Sequence, residues 1–496
     1  MMGEHLSGSI EKAIGLDVGT TKIKCALVNI SGEILYSLSC KTGIIRSPRT
    51  GWMEMDPNRI LENVIKILGK VLLHLKEEET VIGLSTSAPI LIIADEKGVP
   101  LRPAILYNDT RSLNEIEELN REFGESFFKI NGNRVNVQQW VPKLLWLKRH
   151  EQNVFVKAKK FFDLSSYIIW HLTGKHVMDF TIAQDTGLLN YKKRMYSDEI
   201  IKYLGIDREC LPELYRTTDI VGNIEDKIIK VIFPKRKMKL FINAGCEDAM
   251  ASTLSTGAYK PDRLTVVLGS TGIICFSTEC PHPSKRIYLG LSPIPNLYLA
   301  LGGTAAAGLF LDFMRNTIFN KIDYSKIEKI AKSSQEGSNG VIILPYIIGE
   351  RTPIFDPYAR GVLFGLRKNT RKSDIARACF ESIAYSIYHN LKVFQELGYD
   401  ADTVYASGGM TKSALMLEIL ANMLGKKMLR YPKASETLSD AFIAFKSLGK
   451  VRNWNEIENW LDEPETLLPN IAKKRVYDQN FIKYVKIYQR LKNLFR

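Results

Sequence analysis

One pattern occurs twice in this chain and constrains its fold more than any other feature. Ala13-Ile14-Gly15-Leu16-Asp17 reads as a strand, the chain turns at Val18-Gly19-Thr20-Thr21, and Ile23-Lys24-Cys25-Ala26-Leu27-Val28-Asn29 reads as the returning strand. Far downstream, Leu264-Thr265-Val266-Val267-Leu268 enters the turn Gly269-Ser270-Thr271-Gly272 and leaves as Ile273-Ile274-Cys275-Phe276. Apolar runs flanking a glycine turn are hairpin signals. Recurrence at this scale implies two related halves, expected to face each other across a cleft with a boundary near Gly257.

Local signals fill in the first half. The turn Ser31-Gly32-Glu33 leads to a third strand at Ile34-Leu35-Tyr36-Ser37-Leu38. Ile60, Val64, Ile67, Leu68, Val71, Leu72 and Leu75 recur at helical spacing between Pro57 and Lys76, and Val81-Ile82-Gly83-Leu84-Ser85 has a buried-strand composition. Strands mixed with helices predict an α/β fold. The segment after Val451 lacks glycine and predicts a helical extension, with a helix from Tyr477 to Phe495. The expected domains are therefore 1–257, 258–455 and 456–496.

Composition sets outer limits. The chain has 496 residues, 45% hydrophobic and 25% charged, material for two large domains or three smaller ones. Lys+Arg exceed Asp+Glu by 68 to 54, but the basic residues are scattered or in short groups such as Lys235-Arg236-Lys237. No nucleic-acid partner is implied, whereas a basic exterior also steers anions such as ATP. Seven widely spaced cysteines without a C-x-x-C pair fit a reducing cytoplasm. Met1 to Lys12 lack the apolar core of a signal peptide, and no apolar run approaches the ~20 residues that span a bilayer, so no membrane partner is expected.

Phosphoryl transfer needs donors around the phosphates, Mg²⁺, and a base aimed at the attacking hydroxyl. In Asp17-Val18-Gly19-Thr20-Thr21-Lys22 the glycine permits a tight turn and the hydroxyls and backbone N–H groups suit phosphate oxygens. Asp17 suits Mg²⁺ through water, and Lys24 adds charge. The turn Gly269-Ser270-Thr271-Gly272 offers the same chemistry, and a third turn, Ser407-Gly408-Gly409-Met410-Thr411-Lys412-Ser413, precedes a helix from about Ala414 to Leu424 whose N-terminus suits a nucleotide. In Asn243-Ala244-Gly245-Cys246-Glu247-Asp248, after the strand Lys239-Leu240-Phe241-Ile242, Asp248 is the candidate base. Helix capping is the competing role for either acid.

Together these motifs resemble the FGGY carbohydrate kinase family, which includes xylulose, gluconate, ribulose and glycerol kinases. The resemblance also runs through Gly51-Trp52-Met53-Glu54-Met55-Asp56-Pro57, Asn108-Asp109-Thr110-Arg111, Gly302-Gly303-Thr304-Ala305-Ala306-Ala307-Gly308 and Gly349-Glu350-Arg351-Thr352-Pro353. It continues through Asp356 to Leu366 and Asp374-Ile375-Ala376-Arg377-Ala378-Cys379-Phe380-Glu381, which look like the family's second signature. The resemblance implies two actin-like, ribonuclease-H-type lobes closing on MgATP and a sugar or polyol. Asp248 matches the catalytic base; Asp17, Thr20, Thr21 and Lys24 match the first phosphate loop; Ser270 matches the second; Gly308, Asp312, Gly409 and Ser413 match nucleotide contacts. Gly19, Lys22, Gly269, Thr271 and Gly408 complete the expected ATP site, while Gly365 and Glu381 are expected to serve packing.

The departures fall where substrate is chosen. After the strand ending at Ser85, xylulose and gluconate kinases show Met-His and glycerol kinases Arg-Glu, whereas this chain has Thr86-Ser87-Ala88-Pro89. Trp140 replaces a small residue in the first signature, with packing at a helix start as its expected role. Trp52, Glu54, Asp109, Arg111 and Gln138 are the remaining candidate sugar anchors, beside Ala88 and Pro89, and a salt bridge fixing the loop is the alternative for Glu54 and Arg111. D-xylulose is the favoured substrate because Leu101-Arg102-Pro103-Ala104-Ile105-Leu106 and Pro142-Lys143-Leu144-Leu145-Trp146 look closest to xylulokinases. Gluconate, glycerol or another ketose, a non-catalytic regulatory protein on the same fold, and a filament-forming actin relative are the alternatives. A homodimer is one open assembly.

Overall fold

A computed structural model describes residues 10–43, 45–233 and 237–495; Lys235, Arg236 and most of the polar N-terminus lie outside the described residues. The described chain forms two compact units.

The first unit is built on a mixed sheet. β1 (Lys12–Val18) and β2 (Lys22–Asn29) form the expected hairpin, and β3 (Ile34–Lys41) pairs antiparallel with β2. α1 (Pro57–Leu72) starts where the Asp56 side chain accepts from the Asn58 N–H, with proline in the first turn. It brings the chain back so that β4 (Glu79–Thr86) pairs in parallel with β1. β5 (Ile220–Asn223) and β6 (Lys239–Asn243) extend the sheet to the order β5-β6-β4-β1-β2-β3. The short β7 (Cys246–Glu247) then pairs with the end of β4 and hands the chain to α2 (Asp248–Ser255).

Side chains alternate between the faces of a strand. Ile14, Leu16, Val18, Ile23, Cys25 and Leu27 therefore share a core with Ile60, Val64, Ile67, Leu68 and Val71 of α1. The other face carries Gly15 and Gly83, paired across β1 and β4. A Cβ on Gly15 would lie 1.8 Å from the Thr437 carbonyl oxygen, and one on Gly83 1.8 Å from that of Asp440. The two glycines let the helix Glu436–Ser447 approach the sheet backbone directly.

The second unit repeats the strand order. β8 (Arg263–Leu268) and β9 (Gly272–Thr278) form its hairpin. Outside them lie β10 (Tyr288–Leu291) and β11 (Tyr298–Thr304), the latter antiparallel to β9. α3 (Gly308–Thr317) and the buried α4 (Lys372–Glu396) precede β12 (Thr403–Ser407), which pairs in parallel with β8. α5 (Ala414–Leu424) connects it to β13 (Lys427–Arg430), parallel to β12, and β14 (Glu465–Leu467) closes that edge. In both units the first strand pairs antiparallel with the second and in parallel with the strand that follows the crossover. This is the duplication the two glycine turns predict.

The expected boundaries differ from these units in two places. The first unit ends at Ser255, close to Gly257, but regains Gly290–Leu297 and Ala434–Leu461. The final helix, α6 (Ile471–Leu491), starts six residues before Tyr477, where Asn470 caps the Ala472 N–H. It belongs to the core of the second unit: Tyr477, Tyr484 and Ile487 are buried there, and the Tyr346 hydroxyl donates to Tyr484 at 2.7 Å. The packing roles of Gly365 and Glu381 are visible in that unit. Gly365 has φ 86° and a Cβ there would meet the Gly340 carbonyl at 2.3 Å, while buried Glu381 accepts from Arg377, Ser338 and the Gly337 N–H. All seven cysteines are free, and no helix among the described residues is long and apolar enough to cross a membrane.

Candidate active site

The β1–β2 turn is held by its backbone. The Gly19 N–H donates to the Lys22 carbonyl at 3.0 Å, and the Thr42 hydroxyl donates to the Gly19 carbonyl at 2.5 Å. Thr21 and Lys22 stay exposed and Thr20 half-buried. Asp17, at the end of β1, is only 3% exposed. Its Oδ2 pairs with Lys24 Nζ at 2.9 Å, and its Oδ1 is buried with no hydrogen-bond partner. Burial pushes the Asp17 carboxyl up to about 7 despite Lys24, with Glu436 and Asp248 adding to the rise. Lys24 is shared, because its ammonium also donates to Glu436 Oε2 at 2.9 Å from the helix Glu436–Ser447. Burial works against the Lys24 charge, but Asp17 and Glu436 outweigh it and hold its pKa above the ordinary lysine value.

The end of β4 carries Ser87 against this turn. The Ser87 N–H donates to the Val18 carbonyl at 3.0 Å, and its hydroxyl accepts from the Thr20 N–H at 3.2 Å. The same hydroxyl donates to Asp248 Oδ2 at 2.7 Å. Asp248 reaches this point because Gly245 turns with φ 75° so close to β4 that a Cβ would meet the Leu84 carbonyl at 2.3 Å. Asp248 keeps part of its surface accessible, yet burial pushes it up to about 7, with the neighbouring Glu247 charge adding and the Ser87 bond opposing. Beneath it, Ser85 donates to buried Asp440 at 2.9 Å, whose carboxyl is raised well above its ordinary value by burial and by Asp17.

The candidate sugar anchors form a second cluster in the same unit. Arg111 grips Asp109 through Nε and Nη2 at 2.8 and 2.7 Å and reaches Glu54 at 2.7 Å, while Arg102 pairs with the same Glu54 oxygen. The Arg111 guanidinium lies over Trp52 at 3.9 Å. Glu54, Asp109 and Arg111 thus bind one another, as the salt-bridge alternative expects, and hold Trp52 between charged and aromatic neighbours. The Gln138 carbonyl accepts from Lys143 Nζ at 2.8 Å, and that ammonium also reaches the Tyr107 carbonyl. Ala88 and Pro89 are buried and joined by a cis peptide. Trp140 is fully buried as the first residue of the helix Trp140–His150.

In the second unit three glycine turns meet at the end of β8. The Gly308 N–H donates to the Gly269 carbonyl at 3.0 Å, and the Ala307 and Leu309 N–H groups donate to the Ser270 carbonyl at 2.9 and 3.0 Å. A Cβ on Gly408 would meet the Leu268 carbonyl at 2.4 Å. Ser270 and Gly409 are exposed beside this junction and Thr271 half-buried. Two candidates are engaged locally instead. Ser413 caps α5, accepting from the Met416 N–H at 3.1 Å, and Asp312 accepts from the Tyr324 hydroxyl at 2.7 Å and from Arg315.

Ser87, Glu436 and Asp440 were not among the candidates. Ser87 lies in a stretch whose interest was its missing sugar contacts. Asp440 carried the stronger signal, an acid directly ahead of the apolar run Ala441-Phe442-Ile443-Ala444-Phe445. Among the described residues no cluster of three or more His, Cys, Asp or Glu suits a metal ion.

An α/β lobe used twice, with an acid-bearing turn and a carboxylate poised near neutrality, is the build of an actin-like phosphotransferase. The chain belongs to the FGGY family of carbohydrate kinases, whose N-terminal domain matches residues 12–254 and whose C-terminal domain matches residues 264–439. It is 29% identical to the xylulose kinase of Staphylococcus xylosus over 485 residues, covering 96% of this chain and 99% of that protein. Among solved structures it is similar to the ligand-bound xylulose kinase from Lactobacillus acidophilus, with a TM-score of 0.90 at 28% identity over 97% of this chain and 98% of that one. The gluconate kinase from the same organism gives 0.89 at 27%, with the same coverage.

Proposed function

We propose that this kinase transfers the γ-phosphoryl group of MgATP to a hydroxyl of a ketopentose, D-xylulose first among the candidates, with Asp248 as general base. The observation that carries the reading is the Asp248 carboxylate itself: part-accessible, bonded through Ser87 to the phosphate-loop backbone, and pushed up to about 7. A base works best with a pKa near the operating pH. Asp248 takes the sugar hydroxyl proton as that oxygen bonds to the γ-phosphorus and the bond to the ADP oxygen breaks.

Backbone N–H and hydroxyl groups of Gly19, Thr20 and Thr21, with Lys22 and Lys24, form the first phosphate loop in this reading. Gly269, Ser270, Thr271, Gly308, Gly408 and Gly409 form the nucleotide side, with Asp312 and Ser413 at its margin. The buried, unpartnered Asp17 Oδ1 fits a magnesium-bound water. Bound there with ATP, Mg²⁺ would neutralise charge on the phosphates. Trp52, Gln138, Ala88 and Pro89 line the sugar side, with Glu54, Asp109 and Arg111 holding its wall. A cytoplasmic setting accords with seven free cysteines.

The similarity to a gluconate kinase favours a sugar acid as the second reading. ADP release with MgATP across ketoses, polyols and sugar acids separates the two. Ala88 and Pro89 bring no polar side chain, so related ketoses should fall within about two orders of magnitude in kcat/KM, the selectivity of an apolar pocket. A preference of about 10⁴-fold for one substrate would refute shape-based selection. Asp248→Asn should lower kcat by about 10²–10⁴-fold with ATP affinity retained; a variant keeping more than about a tenth of kcat would remove Asp248 as the base.

A further inference from the structure

We propose that Ser87 is a positioning residue for Asp248, locking the orientation of the base to the backbone of the phosphate loop through a single hydroxyl. The proposal rests on Asp248 being the base. A serine hydroxyl has one proton to give and lone pairs to accept. The Thr20 N–H can only donate, so at 3.2 Å it occupies the accepting side of Ser87 Oγ. The Ser87 proton is thereby directed to Asp248 Oδ2, 2.7 Å away. That bond fixes Oδ2, and with it the orientation in which the carboxylate meets the substrate hydroxyl.

The serine cannot drift. It is 5% exposed, its own N–H is tied to the Val18 carbonyl at 3.0 Å, and it follows β4, which pairs with β1 residue by residue up to Val18 and Thr86. A shift of the phosphate turn would therefore be felt at Asp248 through one atom. The hydrogen bond also favours the ionised carboxylate. The other charged groups facing Asp248 are Glu247 beside it, Glu436 from the helix packed on α2, and Asp17 from β1. Glu247 and Glu436 raise its pKa, and the Ser87 hydroxyl works against them.

Ser87→Ala removes one oxygen and is checked for folding by its melting temperature. It should lower kcat by about 10–10²-fold, the scale of a misplaced catalytic group, with the sugar KM within about threefold of wild type. The acidic limb of the kcat profile should move to higher pH, because the carboxylate loses its donor. On an Asp248→Asn background the same change should leave the residual rate unaltered, since two residues that act as a unit are not additive. An unchanged kcat and limb in Ser87→Ala, with Asp248→Asn inactive, would overturn the Ser87 role alone, as would a full additional loss in the double variant. An active Asp248→Asn enzyme would instead remove the base reading, and this role with it.

Discussion

Asp248 and Asp17 are acids whose charge is decided by their surroundings. Both are pushed up to about 7 with burial as the leading cause, and Asp248 adds to the rise of Asp17. A general base must be ionised to accept a proton, so activity should fall as pH drops through the Asp248 value. We expect kcat to decline below about pH 7 by roughly tenfold per unit, the form for one essential base. A flat profile from pH 8 to 5 would place the base elsewhere. Lys24 illustrates the opposite case: between Asp17 and Glu436 it has two carboxylates to satisfy.

At the scale of elements, the helix Glu436–Ser447 is what turns a hairpin into a site. It can place Glu436 beside Lys24 and Asp440 beneath Ser85 only because Gly15 and Gly83 clear its path. Gly83→Ala would put a methyl group 1.8 Å from the Asp440 carbonyl, against backbone that cannot rotate aside. A destabilisation of about 3 kcal/mol or more is expected, at or beyond the upper end of ordinary overpacking. Gly409→Ala meets nothing within 4 Å and should stay within about 0.5 kcal/mol of wild type. Denaturant midpoints of the two variants measure the contrast, and equal midpoints would refute the close approach.

Across the molecule, buried carboxylates recur away from the candidate base. Asp163 caps the helix Leu164–Thr173 and accepts from the Ile90 N–H at 2.6 Å, and Asp179 accepts from Thr181 and Thr217. Burial pushes Asp163 and Glu350 up to about 7 and Asp179 up to about 6. A raised folded-state pKa means that the folded chain holds the proton more tightly than the unfolded one. The resulting stabilisation is complete below about pH 4, the unfolded carboxylate value, and is lost as pH rises through the folded values. Asp163→Asn cannot ionise, so its melting temperature relative to wild type should rise from pH 4 to pH 7. A pH-independent difference would show that Asp163 does not titrate there.

Much of this was legible in the sequence because it is encoded locally. The β1–β2 hairpin, α1, β4 and the repeated glycine turn are each specified by neighbours within a few residues, through apolar period and turn chemistry. The motifs that identify an FGGY kinase are likewise contiguous, and Asp248 could be singled out at the end of its strand. Only the tertiary structure decided which groups meet. Ser87 and Asp248 are 161 residues apart, and Lys24 and Glu436 are 412 apart. An apolar stripe states that a helix will be buried, not on which sheet, and so the return of Glu436–Ser447 to the first unit could not be read from its pattern. A carboxylate's place in the chain does not fix all its partners either: the salt bridge weighed for Glu54 and Arg111 forms, but only folding brings Arg102, 48 residues away, onto the same Glu54 oxygen. Periodicity determines elements and their buried faces, while pairing between distant faces depends on shape and charge that exist only after the chain has packed.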